Sequence, residues 1–330
     1  MKLFSNLWAS IAMLLMLSLA TSCEKSEQPT PAEPEYVTVS LGLDVSLDYD
    51  YEPLTRAEEN NDLYGIQVYS TPVPATENAV WTKYAYGLFD NTDNLTVKLI
   101  RGYEYKFVAT MVKDGKDKVA EGDGKYGDPF GHEISPNTYQ STPLSVSFIY
   151  DQLGMGYLGS NGFANYRNLE RYYGELEGYI PGDNGSKVTI ELKRTSFGVK
   201  YIAKGDYAEN GTLEILMDQA PQLDLNLAES NQISEIYTFY NIRAAWLDDN
   251  YSETISVVLR LVREDGTVVP FGTHNITFKR NKTTVVNINT DDCGESSGVG
   301  VEFIDSGDMP DGDEITIDGG EIVDTEVETN

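Results

Sequence analysis

Val37-Thr38-Val39-Ser40-Leu41-Gly42-Leu43-Asp44-Val45-Ser46-Leu47-Asp48-Tyr49-Asp50-Tyr51 is the stretch on which the fold turns. Every odd position is apolar or aromatic, and every even position is Thr, Ser, Gly or Asp. A β-strand sends alternate side chains to opposite faces, so this segment presents one dry face and one wet face. At roughly 3.3 Å per residue the run is long enough to bend or break once. Downstream, Pro53-Leu54-Thr55-Arg56-Ala57 is a turn carrying an arginine. A cut between Arg56 and Ala57 would separate the strand from the rest of the chain and open an apolar groove that another chain's strand can fill. The plainer reading is the first strand of a sandwich followed by a loop. Both stay open at this point.

Working outward, the same pattern recurs. Leu63 to Tyr69, Leu95 to Leu99, Tyr103 to Met111 and Leu144 to Phe148 all carry strand patterning, and Asp114-Gly115 is a hairpin turn signal. Pro181-Gly182-Asp183-Asn184-Gly185 is the strongest punctuation in the chain and places a domain boundary between residues 182 and 183. Beyond it, strands are expected at Val188 to Leu192, Phe197 to Ile202, Leu213 to Met217, Ile233 to Tyr240, Ile255 to Val262, Ile276 to Phe278 and Val285 to Ile288. Short strands joined by turn chemistry imply an all-β chain of two antiparallel β-sandwich domains, 36–182 and 183–330. No repeat with a period of about 20–50 residues is evident.

Three other segments carry specific expectations. Residues 115 to 140 form a Gly/Asp/Pro-rich insertion in which Glu121, Asp123 and Asp128 are candidate calcium ligands, although their spacing departs from an EF-hand loop; a solvated loop is the default. Phe163 to Tyr173 is expected to be a short helix. The tyrosines around it (Tyr166, Tyr172, Tyr173 and Tyr179) either stack on sugar rings or, more commonly, pack at a domain interface. After the acidic run Asp308 to Glu314, Val323, Thr325 and Val327 share one face, making the tail an edge strand, a strand donated to a neighbour, or a frayed end.

Composition narrows the function. The chain has 330 residues, 53 acidic against 24 basic, and a formal net charge of -29. Such a surface repels phosphate backbones, which argues against nucleic acid as a partner. It also disfavours basic-patch attachment to anionic membranes. Hydrophobic content of 40% is enough for packed cores. With only Cys23, Cys293, His132 and His274, a Cys/His zinc site lacks material. Acidic neighbours around Cys293 disfavour its thiolate. No GxSxG, HExxH, P-loop or dinucleotide fingerprint occurs, so neither an enzymatic role nor a cofactor is expected. Among so many carboxylates, close acidic pairs are uninformative about glycoside hydrolysis.

The N-terminus carries an address. Lys2 supplies a positive start, Leu7 to Leu19 is an apolar core short for a membrane span, and Leu19-Ala20-Thr21-Ser22-Cys23 places small residues before a cysteine. This resembles a bacterial lipoprotein signal, with residues 1–22 removed and Cys23 lipidated; an ordinary secretory signal is the alternative. Residues 23–35 form a polar tether. With Cys23 lipidated, Cys293 has no partner within the chain.

The leader, the alternating strand and Leu54-Thr55-Arg56-Ala57 together resemble the fimbrillins of Bacteroidetes-type bacteria, subunits of lipoprotein-derived pili. Val188-Thr189-Ile190-Glu191-Leu192-Lys193-Arg194-Thr195-Ser196-Phe197-Gly198-Val199 is similar to the strand pair that starts their C-terminal domain. Phe278-Lys279-Arg280-Asn281-Lys282-Thr283-Thr284-Val285 is similar to a late strand entry. The resemblance implies two transthyretin-like β-sandwich domains, a lipid anchor at Cys23 in the outer membrane, and cleavage between Arg56 and Ala57. It further implies polymerisation with other pilus subunits by β-strand exchange, at a cell surface where host or bacterial ligands are met. Cys293 and the acidic tail after it have no counterpart in that pattern. A surface lipoprotein that binds glycans or nutrients is the alternative.

Overall fold

The alternation of the opening segment is realised as β1 (Tyr36–Val45), in which Val37, Val39 and Leu41 are buried and Leu43 and Val45 are half-buried. The computed structural model describes residues 34–45, 61–73, 79–135, 138–150, 154–155, 165–182, 187–205, 211–289 and 301–305. Cys23, Ser46 to Tyr51, Arg56, Ala57, Cys293 and the tail from 306 onward, including the candidate donor Val323 to Val327, lie outside the described residues.

The chain continues with β2 (Leu63–Pro72), β3 (Thr82–Phe89), β4 (Thr96–Ile100), β5 (Tyr103–Val112) and a short helix α1 (Gly115–Lys118). Small strands follow: β6 (Glu121–Gly122), β7 (Lys125–Tyr126), β8 (His132–Ser135), β9 (Thr138–Gln140) and β10 (Thr142–Pro143). Then come β11 (Arg171–Tyr179) and β12 (Lys187–Arg194). The long strands form one seven-stranded sheet in the order β3-β2-β5-β11-β12-β1-β4. It doubles over on itself, because β11 and β12 pair only at Tyr172↔Arg194 and Tyr173↔Lys193. Side chains of β1, β4 and β12 consequently share one core with those of β2, β3 and β5. Where the two layers part, a Cβ on Gly174 would stand 2.0 Å from the Glu191 carbonyl oxygen, so only glycine permits the approach. The outer face of β2 and β5 is covered as well, by Val119, Phe130 and Met155 from the segment after α1. That double cover explains the unbroken burial from Leu63 to Val68, where simple alternation would fail.

The second sandwich contains β13 (Ser196–Lys204), β14 (Thr212–Met217), β15 (Leu223–Asn226), β16 (Gln232–Thr238), helix α2 (Ile242–Leu247), β17 (Ser252–Val262), β18 (Val268–Lys279), β19 (Thr283–Asn289) and β20 (Val301–Asp305). Sheets β16-β13-β19-β20 and β15-β14-β17-β18 enclose a core centred on Phe197, whose ring lies 4.7 Å from both Phe239 and Phe278. Asn241 caps α2 by accepting a hydrogen bond from the Ala244 N–H. The chain is therefore an all-β protein in which two layered cores follow one another.

Four expectations need correction. Val188 to Leu192 does not open the second sandwich: β12 pairs with β1, and Val188, Ile190 and Leu192 pack in the first core. The changeover falls at Thr195, between β12 and β13, rather than at 182/183. The Pro-Gly punctuation falls between β11 and β12, two strands of the first sandwich, because turn chemistry is blind to which sheet the next strand joins. The helix expected over Phe163 to Tyr173 is replaced, within the described residues, by an irregular approach and the start of β11, whose backbone pairs with β5 from Arg171↔Val112 onward. Leu144 to Phe148 is not a strand either. Pro143 cannot donate to a ladder, the Ser147 N–H donates to Ser145 Oγ at 3.2 Å, and Val146 is fully exposed.

Candidate functional site

β1 sits one strand in from the sheet edge, between β12 and β4. It runs parallel to β12 from Ser40↔Lys187 to Val45↔Leu192, and antiparallel to β4 from Tyr36↔Ile100 to Ser40↔Thr96. The two ladders overlap at Ser40 alone. The first half of β1 is held by one neighbour and the second half by the other, with one added bond from the Leu41 N–H to the Leu95 carbonyl at 2.9 Å. Inward, Val37, Val39 and Leu41 join the core formed by Val97 and Leu99 of β4 and Val188, Ile190 and Leu192 of β12. At about 1.5–3 kcal/mol per buried side chain, these three contribute roughly 5–9 kcal/mol as an upper bound. That is comparable with the whole stability of an ordinary domain, of order 5–15 kcal/mol. The seat is therefore essential to the sandwich, yet it is loosely woven.

Among the described strands β4 is the last of the sheet, and the outward backbone groups of its Lys98 and Ile100 are occupied. The Lys98 N–H donates to the Tyr150 hydroxyl at 2.9 Å, and the Tyr84 hydroxyl donates to the Lys98 carbonyl at 2.7 Å. The Ile100 N–H donates to the Tyr105 hydroxyl at 2.7 Å, and that hydroxyl donates to the Ile100 carbonyl at 2.9 Å. Tyr84 packs edge-on against Tyr105 and Tyr150, with centroids 5.2 and 5.6 Å apart. Burial pushes the Tyr105 hydroxyl up to about 12, and burial together with the neighbouring Tyr105 pushes Tyr84 higher still. Both keep their protons at neutral pH. With Tyr103, Ser70 and Thr82, these rings wall a cleft of about 470 Å³ at the end of the first sandwich.

The tyrosines singled out in the sequence lie elsewhere. Tyr172 is buried, with the Arg194 guanidinium 5.4 Å from its ring centroid and its hydroxyl donating to Glu170 at 2.9 Å. Tyr173 is buried against Trp246 and donates to Glu175 at 2.6 Å. Tyr166 donates to Glu253 at 2.6 Å and meets Phe197, while Tyr179 packs on Phe107. Tyr172 and Tyr173 are packed inside, with no ring face open to a sugar, and Tyr166 and Tyr179 are half-buried against Phe197 and Phe107. Among the calcium candidates, Asp128 is ion-paired with Arg167, and a Glu121 carboxylate oxygen accepts from the Gly124 N–H at 2.6 Å. Among the described residues no three His, Cys, Asp or Glu side chains converge on a metal position.

Sequence reasoning missed Tyr84 and Tyr150. Tyr84 lies on β3, which itself was not anticipated: within Tyr84-Ala85-Tyr86-Gly87-Leu88-Phe89, residues of both parities are buried, so no alternation in polarity marks the strand. The closely spaced aromatics were the available signal.

No protein-family model matches the chain, and no curated protein matches it in sequence. Among solved structures it is similar to a candidate adhesin from Bacteroides ovatus, with 12% identity, a TM-score of 0.36, and 73% of this chain and 83% of that one covered. It is also similar to a fimbrial assembly protein from Parabacteroides distasonis, with 12% identity, a TM-score of 0.33 and coverage of 83% and 97%. A third is the C-terminally truncated tip fimbrial protein Mfa3 from Porphyromonas gingivalis, with 11% identity, a TM-score of 0.32 and coverage of 74% and 94%.

Proposed function

We propose that this chain is a structural and adhesive subunit of a cell-surface pilus, with a structural rather than an enzymatic role. In this reading it is exported with a lipid on Cys23 that anchors it in the outer membrane. It is then cleaved between Arg56 and Ala57 and joined to neighbouring subunits when a foreign strand takes the seat of β1. The observation that carries the reading is the weave of β1: a strand whose burial the sandwich needs, paired on both edges at Ser40 only. A strand with one neighbour per half separates stepwise, and its empty seat exposes unpaired backbone on two strands and an apolar floor. Such a seat does not stay empty in water.

The test is a blocked cut. Wild-type cells treated with a trypsin-like protease are expected to yield SDS-resistant ladders, with mature subunits beginning at Ala57. Arg56→Ala is expected to yield lipidated monomer alone. Ladders of undiminished length from Arg56→Ala would sink the scheme.

A further inference from the structure

We propose that Tyr84, Tyr105 and Tyr150 form a clamp that holds β4 in place independently of β1, so that a groove vacated by β1 keeps its outer wall and receives an incoming extended strand in register. The inference rests on the strand-replacement reading above and goes beyond it by assigning the residues that keep the seat open. Among the described strands, β4 has β1 as its one sheet neighbour. A five-residue strand with neither edge paired would come loose once β1 left. The tyrosine hydroxyls prevent this because they arrive from outside the β12-β1-β4 layer. Tyr84 belongs to β3 and Tyr105 to β5, which pair through β2 and require nothing of β1. Tyr150 follows Ile149, whose backbone is bridged to Tyr86.

The geometry suits a brace. Lys98 and Ile100 are two residues apart, so both present their N–H and C=O groups to the same edge, away from β1. Each has both groups bonded to tyrosine hydroxyls. Tyr105 does this alone, accepting from and donating to Ile100, and is fully buried. The side chains of Leu95, Val97 and Leu99 hold one face of the strand in the core. The groove so preserved selects an occupant: a strand running parallel to β12, with aliphatic side chains at three alternate positions in place of Val37, Val39 and Leu41. A second copy of this chain would supply it.

The test uses the full chain cut after Arg56, with β1 still seated, and an excess of labelled peptide of residues 36–56. Uptake of the label and hydrogen exchange at the Lys98 and Ile100 amides are followed together. In wild type, uptake is expected to leave those amides protected to within about threefold. In Tyr84→Phe/Tyr105→Phe/Tyr150→Phe, which keeps the rings, the amides are expected to lose protection by about tenfold or more, with the label bound at least about tenfold more weakly. Tyr84→Phe alone, missing one bond, is expected to show a smaller loss and guards against misfolding of the triple variant. Equal protection and equal uptake in all three chains would overturn the clamp while leaving strand replacement standing. Failure of uptake in every chain, with the amides still differing, would sink strand replacement and leave the brace intact.

Discussion

β1 and β13 occupy the same place in their respective sandwiches. Each is the first strand of its unit, each lies parallel to a late strand (β12 or β19), and each is antiparallel to another (β4 or β16). Their weaving differs. β13 is paired on both edges from Gly198 to Ile202, and it buries Phe197, Val199, Tyr201 and Ala203. β1 is paired on both edges at Ser40 and fully buries Val37, Val39 and Leu41. Chain connection adds to the contrast, since the Thr195 N–H, just ahead of β13, is bonded to the Arg171 carbonyl of the first sandwich. A strand's removability therefore depends on the overlap of its two ladders rather than on its alternation, which both strands possess. One topological position is thus doubly paired over five residues in the second sandwich and over one in the first.

Core truncation is expected to separate the two strands most widely. Phe197→Ala removes the ring against which Tyr237, Phe239 and Phe278 pack, and is expected to cost about 3–5 kcal/mol. Leu41→Ala, beside half-buried Leu43, is expected to cost about 2 kcal/mol, the low end for such a change. Urea midpoints at constant slope give both numbers. A Leu41→Ala cost equal to that of Phe197→Ala would mean β1 is seated as firmly as β13, and the distinction would fall.

Acid acts on the join between the sandwiches and so separates its strength from that of β1. Burial alone would raise the Glu175 carboxyl, but hydrogen bonds from Tyr173, Lys106 and Arg243 outweigh it and hold the group below its ordinary 4.5. The Asp249 carboxyl is lowered chiefly by its hydrogen bond with Lys193, and Arg280 adds to the effect. Arg243 precedes Ala244 on α2, whereas Glu175 lies on β11, so this contact ties the second sandwich to the first. Both folded values are depressed. The associated stability is thus complete above the unfolded-state values and is lost as pH falls through about 4 toward the lower folded ones. The Glu175 network is expected to contribute a measurable share of that loss. Glu175→Gln should flatten this part of the acid limb in urea titrations; an unchanged limb would place the acid sensitivity elsewhere.

Much of the fold was legible because alternation is a local property. β1, β4, β5, β13, β14 and β17 all announce themselves by period. Which strand sits beside which is not local: nothing in Lys187 to Arg194 states that its partner lies some 150 residues earlier at Ser40 to Val45. That is why the sheet changeover at Thr195 escaped the reading of Pro181 to Gly185. The candidate site was legible in half. The inward residues of β1 followed from the pattern, but the tyrosine brace on β4 depends on hydroxyls from Tyr84 and Tyr150 meeting Lys98 across the sandwich. Tyr172 and Tyr173 drew attention for their aromatic character, and they serve packing and hydrogen bonds to Glu170 and Glu175, which the residue type alone does not disclose.

The finest probe is a methyl group, because each strand carries one glycine in its paired stretch. A Cβ at Gly42 would meet the Cε of Lys187 at 3.0 Å and then the Oγ1 of Thr189 at 3.6 Å. The nearest atom is the far end of a flexible side chain, which moves aside at little cost. Gly42→Ala also restricts the unfolded chain, so it is expected to be neutral or stabilising by up to about 0.5 kcal/mol. At Gly198 the same methyl would stand 2.5 Å from Oγ1 and 3.3 Å from Cβ of Thr283. Thr283 is short and branched, and it is the residue with which Gly198 pairs in the parallel ladder, so there is little room to yield. Gly198→Ala is expected to destabilise by about 1–2 kcal/mol. Thermal or urea unfolding of the two variants side by side measures the difference in slack between the two strands. Equal costs would show that β1 is packed on its outer face as tightly as β13, and a strand so packed has no easy way to leave.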